Sequence, residues 1–382
     1  PMRTLLAALA AIVALPVVLL GLALALPFWL VARLTAALTG RIEPRALPWQ
    51  QLIEFQSHVG WAPRARLDVH ALDFHGDPFR LSTDESGWRG RNSIAESDVI
   101  VFGDSFAFGH SVDDHDFFAD LPGEVRIKSI GAPGYNMVQS LHWMRRYASR
   151  LRGKVVVWLI YPANDLQDNL QPQMEGYRTP FVRATGDGGW QMVTRHVRRE
   201  PWPFPSRRPG YEMFVDICRP TFLSERAFSA CGFLVGRARD SCRGAGAELV
   251  VATVPELSPF SLALHARVLA AGNTATGYDP GLPDRRIGEL CRGLGVRFLP
   301  LAERLRTSDY LEHDVHWNRR GHRRVAAMLR ELSVRGTAHP GVHATHRDHV
   351  RVGAPYLRRL SNQRAHARAA GGGMDARPAH EP

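Results

Sequence analysis

Three apolar runs, at residues 98–102, 154–160 and 248–254, restrict the fold more than anything else in the chain. Each is short, nearly unbroken and rich in β-branched residues. A strand with one face in water alternates apolar and polar residues, and these do not, so they predict strands buried on both faces. Residues 125–130 and 296–300 add two shorter strands, and residues 135–151, 221–245, 283–294 and 318–332 carry helical patterns between and after them. Strands alternating with helices imply an α/β fold with a mostly parallel sheet covered on both faces. Ligands of such sheets sit beyond the carboxyl ends of the strands. Reactive residues are therefore expected just after the strands.

Polar or glycine-rich clusters stand at those positions. Gly103-Asp104-Ser105 ends the first run, Gly131-Ala132-Pro133-Gly134 follows the second strand, and Ala163-Asn164-Asp165 follows residues 154–160. Asp314-Val315-His316-Trp317-Asn318 lies beyond the last strand, before the closing helix. A serine on a sharp strand-to-helix turn is expected to expose its hydroxyl, with the following backbone N–H groups facing an anion. An imidazole takes a serine proton at neutral pH when a carboxylate fixes its tautomer, and His316 with Asp314 offers that pair on one loop. Candidate oxyanion donors are the Ser105 N–H, the Gly131 N–H and the Asn164 side-chain amide. Glycine suits that role because no Cβ separates its backbone from a ligand. Asp104 and Asp165 read as structural, shaping their turns through backbone hydrogen bonds.

These four clusters resemble, in order, the sequence blocks of the SGNH (GDSL-like) hydrolase superfamily, over residues 98–332. The resemblance implies a flavodoxin-like three-layer α/β/α fold with no cofactor. It makes Ser105 the nucleophile, His316 the base, Asp314 its orienter, and Ser105, Gly131 and Asn164 the oxyanion hole. Three positions depart from the pattern: Ala163 precedes Asn164 where a Gly-x-Asn-Asp block is usual, Ser129 stands where an Asn often begins the second block, and the last block is Asp-x-His, leaving His313 at the usual aspartate position. Asp-x-His-Trp looks more like the branch containing alginate O-acetyltransferase proteins. The implied activity is hydrolysis of O-acyl esters, acetyl first, on a carbohydrate or cell-envelope molecule. The alternatives are a polysaccharide O-acetyltransferase with the same triad, partnered by a membrane-bound O-acyltransferase, and a non-catalytic carbohydrate-binding domain.

Residues 5–38 are almost wholly apolar, and the part from 5 to 31 exceeds the roughly 20 residues needed to cross a bilayer. It reads as an uncleaved signal anchor, although Ala23-Leu24-Ala25 resembles a cleavage site. Arg33, Arg41 and Arg45 beyond it pull toward the opposite topology under the positive-inside rule. The signal-anchor reading places the domain outside the cytoplasm, in the periplasm. The resulting organisation is an anchor at 1–39, a linker and small β entry at 40–95 with a hairpin across 79–89, the α/β domain at 96–335, and a tail at 336–382. An insertion at 167–219, rich in Pro, Gly, Trp and Arg, reads as a cover on the substrate side, with Tyr177, Trp190, Trp202 and Tyr211 offering faces for a sugar ring.

The net charge of +11 is scattered or terminal, without an Arg-rich helix, which argues against nucleic acid. Cys218, Cys231, Cys242 and Cys291 lack Cys-x-x-Cys pairing, so zinc is not expected, while one or two disulfides are allowed outside the cytosol. His313, His316 and His322 with Asp314 could form a metal cluster, but His316 is already used and His322 reads as a packing residue. His110 and His115 are expected at polar, exposed positions near the serine. The tail is rich in Arg and His without an apolar period and reads as disordered.

Overall fold

A computed structural model describes residues 47–73, 75–174, 176–194, 197–200, 215–272 and 277–336. Five parallel strands form the central sheet: β1 (Val99–Gly103), β2 (Ile127–Gly131), β3 (Val155–Ile160), β4 (Glu248–Thr253) and β5 (Arg297–Pro300). Their spatial order is β5-β4-β3-β1-β2. Read from the other edge this is 2-1-3-4-5, the doubly wound order of flavodoxin-like sheets.

The alternation that the buried strands hide in the sequence reappears in their packing. Ile100, Phe102, Val156, Trp158, Ile160 and Val251 face one core. Their sequence neighbours Val99, Val101, Val155, Val157, Leu159 and Val250 face the other. The first core is closed by α2 (Met137–Arg146), α4 (Phe222–Ala245) and α6 (Leu282–Leu294). The second is closed largely by α7 (Arg319–Gly336), through Val325, Ala326, Met328, Leu329 and Leu332. Both faces are covered, hence the continuous apolar runs.

Helix ends follow their capping residues. The helix expected over 135–151 runs only from Met137 to Arg146, because Asn136 accepts the Val138 and Gln139 N–H groups and so sets its start. Residues 148–150 form a separate 3₁₀ turn. Thr221 and Ser224 make a capping box at the start of α4, and Gly246, at φ +71°, ends it in the left-handed region. Helix α5 (Pro259–Gly272) was not expected from the sequence; Ser258 starts it by accepting the Ser261 N–H.

One reading changes outside the sheet. Pro78–Ser82 pairs backward with Asp68–Leu72, and across the Asp84 turn residues 79–89 form no ladder, their strand-type pairing being a single Thr83–Arg89 bridge. The Asp84 carboxylate accepts the Ser86 and Trp88 N–H groups, which makes that segment a tight turn in place of a hairpin. The insertion contains two small hairpins, Gln173–Met174 with Tyr177–Arg178 and Phe181–Ala184 with Trp190–Val193. Within it, Tyr177 packs on Trp49 and Trp61 while staying 38% exposed, and Trp190 donates to the Ser229 hydroxyl on α4. All four cysteines are buried, and none of them is joined in a disulfide. The predicted anchor, Trp202, Tyr211 and the tail lie outside the described residues. Among those described, no helix is long and apolar enough to cross a membrane.

Candidate active site

At the carboxyl edge of the sheet, Gly103 ends β1, Asp104 leaves it at φ −97°, ψ −137°, and Ser105 opens the one-turn helix α1 (Ser105–Phe108). Asp104 caps that turn by accepting the Phe106 N–H at 3.0 Å. On one side of β1, Gly131 ends β2; on the other, Asn164 stands in the first turn of α3 (Pro162–Asp168), directly after β3. The three candidate oxyanion donors therefore come from three adjacent strand ends. Gly131 is fixed there by space: a Cβ would lie 2.6 Å from the Ala107 Cβ and 2.8 Å from the Asp104 carbonyl oxygen.

His316 and Asp314 arrive on a loop braced at both ends. Tyr310 and Trp317 bridge across its base, the Leu311 N–H donates to the His316 carbonyl, and the Asn318 side chain donates to the Tyr310 carbonyl. Asn318 Oδ1 in turn accepts the Arg320 and Gly321 N–H groups and starts α7. Tyr310 ties the loop to the segment after β4 by donating to the Pro255 carbonyl at 2.8 Å. Trp317 is buried edge-on against Phe106, 4.9 Å between ring centres.

The structure brings Ser105, His316 and Asp314 together. Ser105 Oγ is 2.7 Å from His316 Nε2, and His316 Nδ1 is 3.1 Å from each Asp314 carboxylate oxygen. A carboxylate only accepts, so Nδ1 carries the proton that faces it, and in the neutral ring Nε2 accepts from the serine hydroxyl. Burial opposes charge at Asp314, but the His316 imidazole and the Val315 N–H outweigh it and hold the carboxyl well below its usual range. Burial likewise works against the His316 imidazolium, and Asp314 overcomes it, raising His316 above its ordinary value. Such a pair has the form needed to take a proton from Ser105 and keep it on the ring.

The serine differs from expectation in one respect. It is only 8% exposed, since Phe106 and the His316 loop close over the turn. Asp104 and Asp165 have structural contacts: Asp165 accepts the Tyr161 N–H at 2.9 Å, and burial followed by the Asp104 charge pushes its carboxyl up. Burial also raises Asp104, against the Phe106 N–H and the nearby His316 and Asn164. Ser129 donates to the Ala107 carbonyl and so ties β2 to α1.

His313 lies with its side chain 79% exposed beside Glu312, while Asp314, the expected orienter, stands behind His316. His322 accepts the Phe118 N–H and stacks on that ring. No group of three or more potential metal ligands occurs among the described residues. His115 is exposed beside Asp116. His110 is not exposed but buried, 5.0 Å from the His316 ring, and burial pushes it down to about 3, so it stays neutral.

Sequence reasoning missed Ser111 and Arg89. Ser111 Oγ lies 3.4 Å from Asp314 Oδ2. Arg89, fully buried, holds the loop that carries Ser111. Ser111 follows α1 so closely that chain connectivity alone hinted at its proximity. For Arg89 the sequence carried no signal.

No family model matches the chain, and no curated protein matches it. Among solved structures, a carbohydrate acetylesterase from Sinorhizobium meliloti is similar at 13% identity, over 63% of this chain and 99% of that one, with a TM-score of 0.36. The native aryl esterase of M. smegmatis is similar at 12% identity, over 63% of this chain and 99% of that one, with a TM-score of 0.32. At such identities and scores, what this chain does must be argued from its own geometry.

Proposed function

We propose that the protein is an SGNH-type serine esterase that removes O-acyl groups, acetyl first, from a carbohydrate or cell-envelope molecule. The observation that carries this reading is the 2.7 Å approach of Ser105 Oγ to His316 Nε2, with Asp314 behind the ring. In the proposed reaction His316 takes the hydroxyl proton as Ser105 Oγ attacks the ester carbonyl. The Ser105 and Gly131 N–H groups and the Asn164 amide receive the developing oxyanion, where loss of one strong donor costs about 3–4 kcal/mol of barrier. Collapse breaks the ester C–O bond, and His316 returns the proton to the departing alcohol. A water then attacks the acyl-Ser105, gives its proton to His316 and releases the acid. A non-catalytic binding module gives no reason for an aligned Ser–His–Asp set.

Transfer of the acyl group to a sugar hydroxyl is the second reading, and it rests on the Asp314-Val315-His316-Trp317 spacing. It shares the acyl-Ser105 stage and differs only in what resolves it. The deciding experiment incubates the protein with a labelled acetyl donor and an oligosaccharide, then follows the label by mass spectrometry. Free labelled acetate is the expected product. Label found mainly on sugar would replace hydrolysis by transfer, and no turnover of any ester would end both readings. We place the domain outside the cytoplasm, tethered by residues 5–31 near its substrate.

A further inference from the structure

Helix α1 ends at Gly109, whose φ of +72° turns the chain into a loop that doubles back over the His316 ring. Gly109 is required by space as well, because a Cβ would sit 2.3 Å from the Phe117 ring. Arg89 fills the inside of this loop. Its guanidinium donates to the Gly109 and Val112 carbonyls, pairs with Asp114 at 2.9 Å and lies 4.7 Å over the Phe117 ring. A wholly buried guanidinium is tolerated only when its donors are met, and here the loop's own carbonyls and Asp114 meet them. The loop is thus held from within by a residue of the β entry segment.

On that loop Ser111 has φ +69°, one of two non-glycine residues with positive φ among those described. A serine there costs more than glycine would. The conformation brings its hydroxyl 3.4 Å from Asp314 Oδ2. Asp314 Oδ1 is already met by the Val315 N–H, and both oxygens face His316 Nδ1. Among the described residues, Asp314 Oδ2 is otherwise met only by the His316 Nδ1 that Oδ1 shares, so a hydroxyl on Oδ2 limits rocking of the carboxylate about its Cβ–Cγ bond.

We propose that Ser111 is a positioning residue for the Asp314–His316 pair: its hydroxyl fixes the rotation of the Asp314 carboxylate behind the imidazole, and Arg89 holds the strained loop that delivers it. This inference rests on the esterase reading of Ser105. Backbone strain where glycine would be easier, spent to place one hydroxyl against a buried carboxylate, has no purely structural return.

The test uses the full chain, p-nitrophenyl acetate as substrate, and two variants, Ser111→Ala and Ser111→Gly. Both remove the hydroxyl, while only glycine relieves the positive φ. Both are expected to lower kcat roughly tenfold with KM little changed, the size of one lost hydrogen bond to a charged group. With one donor gone the Asp314 carboxylate becomes more basic, so the acid limb of kcat/KM moves to higher pH. The other groups facing this pair are His110, Asp104 and Asp73, with Arg89 facing His110, and they are unchanged in both variants. Ser111→Gly is expected to keep or raise Tm while losing activity. Wild-type kcat and an unmoved limb in both variants would overturn the inference, as would full activity in Ser111→Gly with loss confined to Ser111→Ala. If instead the wild type neither turns over the ester nor reacts at Ser105 with a fluorophosphonate, the esterase reading fails, and the role of Ser111 fails with it.

Discussion

Ser105 Oγ and His316 Nε2 lie 2.7 Å apart across 211 residues of chain. Neither position makes the contact alone. Ser105 is lifted by the turn after β1, and His316 is lowered onto it by a loop that Tyr310, Trp317 and Asn318 brace.

Replacing Ser105 by Ala should abolish ester turnover and leave the fold intact, with stability changed by about 1 kcal/mol or less, since a small hydroxyl is lost from the end of a helical turn. A fluorophosphonate should label the wild type and not the variant. Labelling that persists in Ser105→Ala would place the nucleophile elsewhere.

Asp314→Asn should reduce kcat by about 10⁴-fold, as the wrong tautomer of His316 then faces Ser105. His313→Ala, on an exposed side chain, should be mild. The pH dependence carries a sign. Catalysis needs neutral His316, whose pKa Asp314 holds above the ordinary value of about 6.5. In the wild type kcat/KM therefore rises with pH through a value above that number. In Asp314→Asn burial is opposed only by the Asp104 and Asp73 charges, and the residual activity should show its limb at lower pH than in the wild type. A limb that stays in place would mean that Asp314 does not set the basicity of His316.

The same pair predicts a window of stability. The depressed Asp314 contributes above its unfolded pKa of about 3.9, and the raised His316 contributes below its folded pKa. The stability gap between wild type and Asp314→Asn should be widest from about pH 4 to pH 6.5 and narrow as pH rises beyond. Denaturant melts at several pH values measure it, and a gap that widens toward pH 9 would contradict the pairing.

At Gly131 an added methyl meets Ala107 and the Asp104 carbonyl within 2.8 Å. Gly131→Ala should cost about 1–3 kcal/mol of stability and displace the turn that carries Ser105, so activity should fall even where the variant remains folded. Circular dichroism with ester turnover separates the two effects. Full activity in the variant would show that β2 and α1 can part freely.

If residues 5–31 anchor the chain, the full-length protein should stay with membranes through a high-salt wash. A reporter active only outside the cytoplasm, fused at the carboxyl terminus, should be active. Release by salt would remove the anchor, and reporter activity confined to the cytoplasm would invert the orientation in the sense of Arg33, Arg41 and Arg45.

The sequence by itself determined the parallel sheet, because strands buried on both faces must be apolar throughout, and residues 154–160 and 248–254 are that to within a residue of the observed β3 and β4. It also determined which strand ends carry polar groups, since Gly103-Asp104-Ser105 and Asn164 follow their strands directly. Local capping was legible only in part: Asn136 and Ser258 set helix ends by one or two hydrogen bonds that periodicity does not register. The choice of Asp314 over His313 followed from a spacing in the chain, but only the braced loop fixed which side chain turns inward and which faces water. Tertiary structure alone decided the burial of Ser105 and His110, the place of Arg89 and the contact of Ser111 with Asp314. Those depend on side chains brought together from segments far apart in the chain, and a guanidinium or a hydroxyl carries no mark in sequence of whether water or a carbonyl will meet it.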